Sequence, residues 1–174
     1  MNRYTVAKAT RGLADYLKKE HPKTFSQGEV IAYDTRNHSD DFAKEAARVL
    51  TSAGIPVRIF EELEPIPVLA FAVKYFHAAA GVVVTASHNP AEYNGYKVYG
   101  ANGAQLVPKD ADVLTAYVRF ADINSFIRMN GKVSQLDDIV QLFPRRFVNG
   151  LTETVFVNQS GKVVFIRQGK GFVG

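Results

Sequence analysis

The 174-residue chain contains no cysteine, which excludes disulfides, a thiolate zinc site and a cysteine nucleophile. No run is long and apolar enough to span a bilayer, and the opening MNRYTVAKATRGLADYL lacks the apolar core of a signal peptide. A soluble, cytoplasmic protein with no membrane partner is expected. A strong charge excess is missing as well. The formal net charge is +4; residues 1–124 carry 14 Lys/Arg against 14 Asp/Glu, and residues 125–174 carry 7 against 3. A neutral main body argues against a nucleic-acid partner, which would show as a basic stripe with interleaved aromatics. The sequence has no internal repeat and no low-complexity segment.

What is present is enough apolar sequence, 47% of residues, to bury the core of one ordinary domain. Its composition breaks near residue 124. All 20 alanines precede that point, whereas half of the 12 phenylalanines follow it. The break divides the chain into a main domain, residues 1–124, and an unassigned β-rich tail, residues 125–174.

Apolar periodicity predicts the elements of the main domain. Val6, Ala9, Leu13, Tyr16 and Leu17 recur at helical spacing from Thr5 to Glu20, with Thr5 as N-cap and His21-Pro22 as stop. EVIAYDT, residues 29–35, is a short buried strand. NHSDDFAKEAARVLTSAG follows as a helix with Ser39 as N-cap, Asp40 and Asp41 in the first turn, and Gly54 as a left-handed terminator. IPVRIF at 55–60 is the next strand, then a helix over about 68–79. GVVVTAS is the third strand, GYKVYG the fourth, and Pro108 opens the last helix. Strands alternating with helices through short connections predict an α/β fold, three layers α/β/α around a mostly parallel, mixed sheet. The tail stretch ETVFVNQSGKVVFIRQ reads as a hairpin, a β-rich C-terminal extension whose edge could support self-association.

In such a sheet, ligands bind beyond the carboxyl ends of the strands. There the chain places Asp34, Thr35 and Arg36 after one strand and Ser87-His88-Asn89-Pro90 after another. A hydroxyl at such an exit becomes a nucleophile only with a base or cations beside it. Ser, His, Asn and Pro are also ordinary turn residues, so a solvated turn accounts for the same stretch. By the same weighing, Lys97 reads more readily as a solvated strand residue than as a functional one. Asp34, Asp40 and Asp41 are explained as strand-end and helix-cap residues, and His21, His38 and His77 have no ligand spacing.

TASHNPAEYNGYKVYGANGAQL closely resembles the active-site segment of the α-D-phosphohexomutases, the phosphoglucomutase and phosphomannomutase superfamily. YDTR followed by an Ala-rich helix, and AGIPVRIFEELEPIPVLAFAVKYFHAAAGVVVTASHNP, extend the resemblance over about residues 1–124, nearest to the branch that includes phosphopentomutase-like members. The resemblance implies an isomerase that works by intramolecular phosphotransfer. Its serine carries a phosphoryl group, gives it to a sugar monophosphate to form a bisphosphate, and takes back the other phosphate. Ser87 matches that serine; His88 and Lys97 match positions near the reacting oxygens; Arg36 matches a strand-exit arginine that would steady the phosphate. Magnesium and a glucose 1,6-bisphosphate-type activator are implied as cofactors, with Ser87 contributing one metal ligand through its phosphate, and a sugar phosphate as substrate.

The departures shape the expectation equally. The family's Gly-Thr-Ser/Ala-Gly-Leu-Arg-Gly opening, its Asp-Gly-Asp-x-Asp magnesium loop, its Gly-Glu-x-Ser-Gly sugar loop and its last phosphate loop are not found in the sequence. The resemblance therefore implies a phosphoserine-bearing domain that is incomplete for catalysis alone, with residues 125–174 as novel, frame-altered or fused sequence. The alternative is a non-catalytic binding module that keeps the α/β fold.

Overall fold

The computed structural model describes residues 1–121 and, beyond them, only the backbone of three strands, residues 142–143, 152–157 and 163–168. Helix α1, Arg3–Glu20, begins one turn-fragment earlier than its apolar period suggests. Asn2 is the N-cap: its Oδ1 accepts the Thr5 amide at 3.0 Å while the Thr5 hydroxyl accepts the Asn2 amide at 3.0 Å. Thr5 is thus the reciprocal partner three residues into a capping box, not the cap itself. Two orphan donors are satisfied in one exchange, so the start moves toward the N-terminus.

Strand β1, Glu29–Tyr33, is buried throughout and central. It pairs in parallel with β2, Val57–Phe60, on one side and β3, Ala80–Val84, on the other. Strand β4, Tyr96–Gly100, runs antiparallel against β3, from Val84↔Tyr96 to Ala80↔Gly100. The sheet is therefore mixed, with an antiparallel strand, β4, at one edge. Strands β5, Leu142–Phe143, β6, Thr152–Val157, and β7, Val163–Gln168, follow on the β2 side, β6 and β7 pairing antiparallel. The connecting residues of the expected tail hairpin, 158–162, lie outside the described residues, as does most of the tail.

The period-2 alternation of β1 sorts its side chains into two cores. Ile31 and Tyr33 join Leu13, Leu17, Ala46 and Leu50 under α1 and α2, Ser39–Ser52, with α4, Pro108–Phe120, contributing Leu114. Val30 and Ala32 join Leu69, Ala72 and Val73 under α3, Ile66–Tyr75. That is three layers, and each fully buried Leu or Ile contributes about 1.5–3 kcal/mol. At Gly12 helices α1 and α4 nearly touch: a Cβ there would lie 2.5 Å from Val118 Cα, so only glycine fits their crossing.

Three further boundaries differ from expectation. Helix α3 starts at Ile66 because Pro67 fits the first turn, where a missing N–H costs nothing. It stops at Tyr75, not 79, since His77 takes a left-handed turn with φ 51° and Ala80 already belongs to β3. Helix α2 has His38 as N-cap, in a left-handed conformation with φ 62° and no side-chain cap bond. Ser39, expected there, is the first helical residue, and its hydroxyl is used elsewhere. Gly54 is left-handed after α2, φ 78°, as its position predicts. Among the described residues no helix is long and apolar enough to cross a membrane.

Candidate active site

The parallel strands β1 and β3 end side by side, and everything of chemical interest gathers there. The Asp34 amide bonds the Val84 carbonyl at 3.3 Å, and the Thr85 amide bonds the Gly95 carbonyl at 3.0 Å, so β1, β3 and the start of β4 leave the sheet as a unit. Gly95 permits this: a Cβ on it would sit 2.6 Å from the Thr85 carbonyl oxygen.

Three residues beyond β3's last paired position the chain turns. Ser87 adopts φ 57°, a left-handed conformation that costs a non-glycine residue about 1–2 kcal/mol. The turn exposes Ser87 and His88 while Val82, Val83 and Val84 stay buried. Lys97, half-buried in β4, reaches across, and its Nζ donates to Ser87 Oγ at 2.5 Å. A strained, exposed hydroxyl with an amine directly on it is a poised group. His88 is exposed and has no hydrogen-bond partner among the described residues.

Arg36 lies against the same turn. Its Nε donates to Asp34 Oδ2 at 3.0 Å, its Nη1 to the carbonyls of Asn89 at 2.5 Å and Pro90 at 2.7 Å, and its Nη2 to the Ser87 carbonyl. The guanidinium was expected to steady a phosphate; here all three of its nitrogens are engaged with Asp34 and the loop backbone. Asp34 anchors it. Burial pushes the Asp34 carboxyl up, but hydrogen bonds from Thr85, the Arg36 amide and Ser39, with the Arg36 charge, outweigh that and hold it below its ordinary value.

Ser39 is where the missing cap went. Its hydroxyl lies 2.9 Å from Asp34 Oδ1 and 2.8 Å from Asn94 Oδ1, and the Asn94 amide nitrogen donates to the Asn37 carbonyl at 2.6 Å. The sequence offered Ser39 only as a helix cap and did not single out Asn94. They are 55 residues apart, and no local spacing signals such a contact.

The structure thus brings Ser87, Lys97 and Arg36 to one turn, with His88 on its outer side. It does not build a cation site there. No group of three or more His, Cys, Asp or Glu that could hold a metal ion occurs among the described residues, and the Asp34 carboxylate is already engaged by Arg36 and Ser39. The residues present offer a magnesium ion at most a Ser87 oxygen, which does not fit the several oxygen ligands that ion demands. A cavity of about 200 Å³, lined by Tyr16, His21, Asn102 and Asp110 among others, opens at the opposite end of the sheet and includes none of these groups.

Comparison with known proteins extends the picture. Residues 1–122 match the family described as phosphoglucomutase/phosphomannomutase, alpha/beta/alpha domain I. The chain is 41% identical over 151 residues to a probable phosphomannomutase of Haemophilus influenzae, covering 82% of this chain and 30% of the relative. It is 41% identical over 123 residues to human phosphopentomutase, covering 67% of this chain and 20% of that protein. A phosphoglucomutase/phosphomannomutase family protein of Burkholderia thailandensis superposes with a TM-score of 0.57 at 22% identity, over 68% of this chain and 26% of the other, a likeness that speaks for the fold. The Haemophilus match covers more of the chain than residues 1–122 do, so the resemblance is not confined to the main domain. The chain spans less than a third of the length of each of these proteins. With the sheet order, the helical layers and the profile in agreement, the chain belongs to the phosphoglucomutase/phosphomannomutase family, of which it carries the alpha/beta/alpha domain I.

Proposed function

We propose that the chain is the phosphoserine-bearing domain of a sugar-phosphate mutase, and that Ser87 is the residue that carries the phosphoryl group. The reading rests on one observation: the Lys97 ammonium lies 2.5 Å from the hydroxyl of an exposed, left-handed Ser87 at the end of a buried strand. Phosphoryl transfer needs positioning and charge neutralisation more than covalent invention. In the charging step a bond forms between Ser87 Oγ and phosphorus, the phosphorus–oxygen bond to a sugar bisphosphate breaks, and the hydroxyl proton leaves to the departing sugar oxygen or solvent. Lys97 offsets the negative charge that gathers on the transferring group. His88, open to solvent beside Ser87, is placed to exchange a proton with a sugar hydroxyl.

The substrate class is a sugar phosphate. Similar proteins carry the names of mannose- and pentose-phosphate mutases alike. Catalysis of a whole isomerisation would require further domains for the metal and the sugar. Incubating the chain with glucose 1,6-bisphosphate, with and without magnesium, and locating phosphate by mass spectrometry tests the reading. Phosphate on Ser87 is expected; a chain that takes up none, or takes it up elsewhere, removes it.

A further inference from the structure

Ser87 is held from both sides of its own peptide, and both holds lead back to one carboxylate. On the amide side, the Ser87 N–H donates to Thr85 Oγ1 at 3.1 Å, and the Thr85 hydroxyl in turn hydrogen-bonds Asp34. On the carbonyl side, the Ser87 oxygen accepts from Arg36 Nη2, and the same guanidinium donates through Nε to Asp34. Arg36 also gathers the Asn89 and Pro90 carbonyls with its Nη1. Its side chain is only 10% exposed, and that of Asp34 28%, so water competes weakly with these bonds.

We infer that Arg36 is a positioning residue: with Asp34 and Thr85 it clamps the peptide of Ser87 in its left-handed conformation and so aims Oγ at Lys97. Three converging carbonyls explain the residue type. A planar guanidinium presents five donors in a fixed fork, and an ammonium presents three from a single point. The clamp also balances the strain at Ser87. Without it, that residue relaxes toward an ordinary turn conformation, and the hydroxyl leaves the lysine. Ser39 and Asn94 extend the device by tying Asp34 and the far end of the loop to the start of α2.

The inference rests on the phosphoryl-accepting role of Ser87 for its meaning, and its test reads the two separately. Hydrogen exchange of the intact chain, wild type, Arg36→Lys and Arg36→Gln, is followed in peptides spanning 85–95 and in the β1 and β3 core, alongside the rate of Ser87 phosphorylation by glucose 1,6-bisphosphate. Both variants are expected to exchange at least tenfold faster in 85–95, with the core unchanged, and to lose at least tenfold in labelling rate. Arg36→Lys keeps the charge, so a phosphate-binding role would leave it close to wild type and a clamp would not. If Arg36→Lys retains wild-type loop protection, or loses labelling without any change in exchange, the clamp is wrong. Should Arg36→Gln loosen the core as well, Arg36→Lys decides alone by the same two readouts. A wild type that takes no phosphate would instead remove the functional reading and leave the exchange result standing.

Discussion

Two carboxylates stand at the two ends of β1 and meet opposite fates. Glu29, the first residue of the strand, is fully buried, and neither of its carboxylate oxygens has a hydrogen-bond partner among the described residues. Burial alone pushes it up to about 8. Asp34, one residue past the other end, is buried less and accepts from Thr85, the Arg36 amide and Ser39, and it titrates below its ordinary value. Both pay for leaving water; partners alone decide the sign. The comparison sets an end whose acid costs stability against an end whose acid holds the loop that follows β3. Their perturbations should therefore fall on different observables.

The largest effect expected is at the loop. Ser87→Ala abolishes phosphate uptake while shifting the denaturation free energy by less than about 0.5 kcal/mol, because an exposed hydroxyl contributes little. Lys97→Met follows, with labelling about 100-fold slower, the scale for losing one group that stabilises developing charge, and an unchanged fold by circular dichroism.

At the other end, Glu29→Gln should leave labelling intact and change the pH dependence of stability. The sign follows from linkage. The folded state holds Glu29 protonated up to about 8, whereas an unfolded glutamate ionises near an ordinary value of about 4.3. Stability from this group is thus full below the unfolded value and declines as pH rises toward 8, by up to about 1.4 kcal/mol per pH unit. Urea titrations at pH 5 and pH 8 should show wild type losing stability between them, and Glu29→Gln losing far less. Equal losses would mean that Glu29 finds a partner or water.

Asp34→Asn gives the smaller, opposite case. Its lowered value places its contribution above the unfolded carboxylate range and removes it as pH falls through the folded value. The variant should cost about 1–3 kcal/mol at neutral pH, the gap from wild type closing in acid. It should also speed hydrogen exchange in 85–95, an effect no substitution at Glu29 shares.

Much of this was legible in the chain and some was not, for reasons visible in particular residues. The strands at 29–33, 57–60 and 80–84 follow from short buried runs, and their parallel pairing and covering layers from their alternation with helices; the order of the strands was not legible. The start of α2 was misread because Ser39 is a good cap by type, yet the Asp34 carboxylate beside it is the stronger partner. Ser87 and Lys97 were readable through a motif that keeps them 10 residues apart across a turn. The contacts of Arg36 were not readable, since its partners in the loop are backbone carbonyls and those carry no sequence signature. Glu29 gave no sign at all: within EVIAY it looks like the polar edge of a strand, and only the packing of α1 and α2 over it makes it a buried acid.

The central claim is that the β3 exit exists to present Ser87. The most direct test is to incubate wild type and Ser87→Ala with glucose 1,6-bisphosphate and magnesium and sequence the phosphorylated peptides by mass spectrometry. The account predicts a single phosphate on Ser87 in wild type and none in the variant; equal labelling of both chains, or none in either, would contradict it.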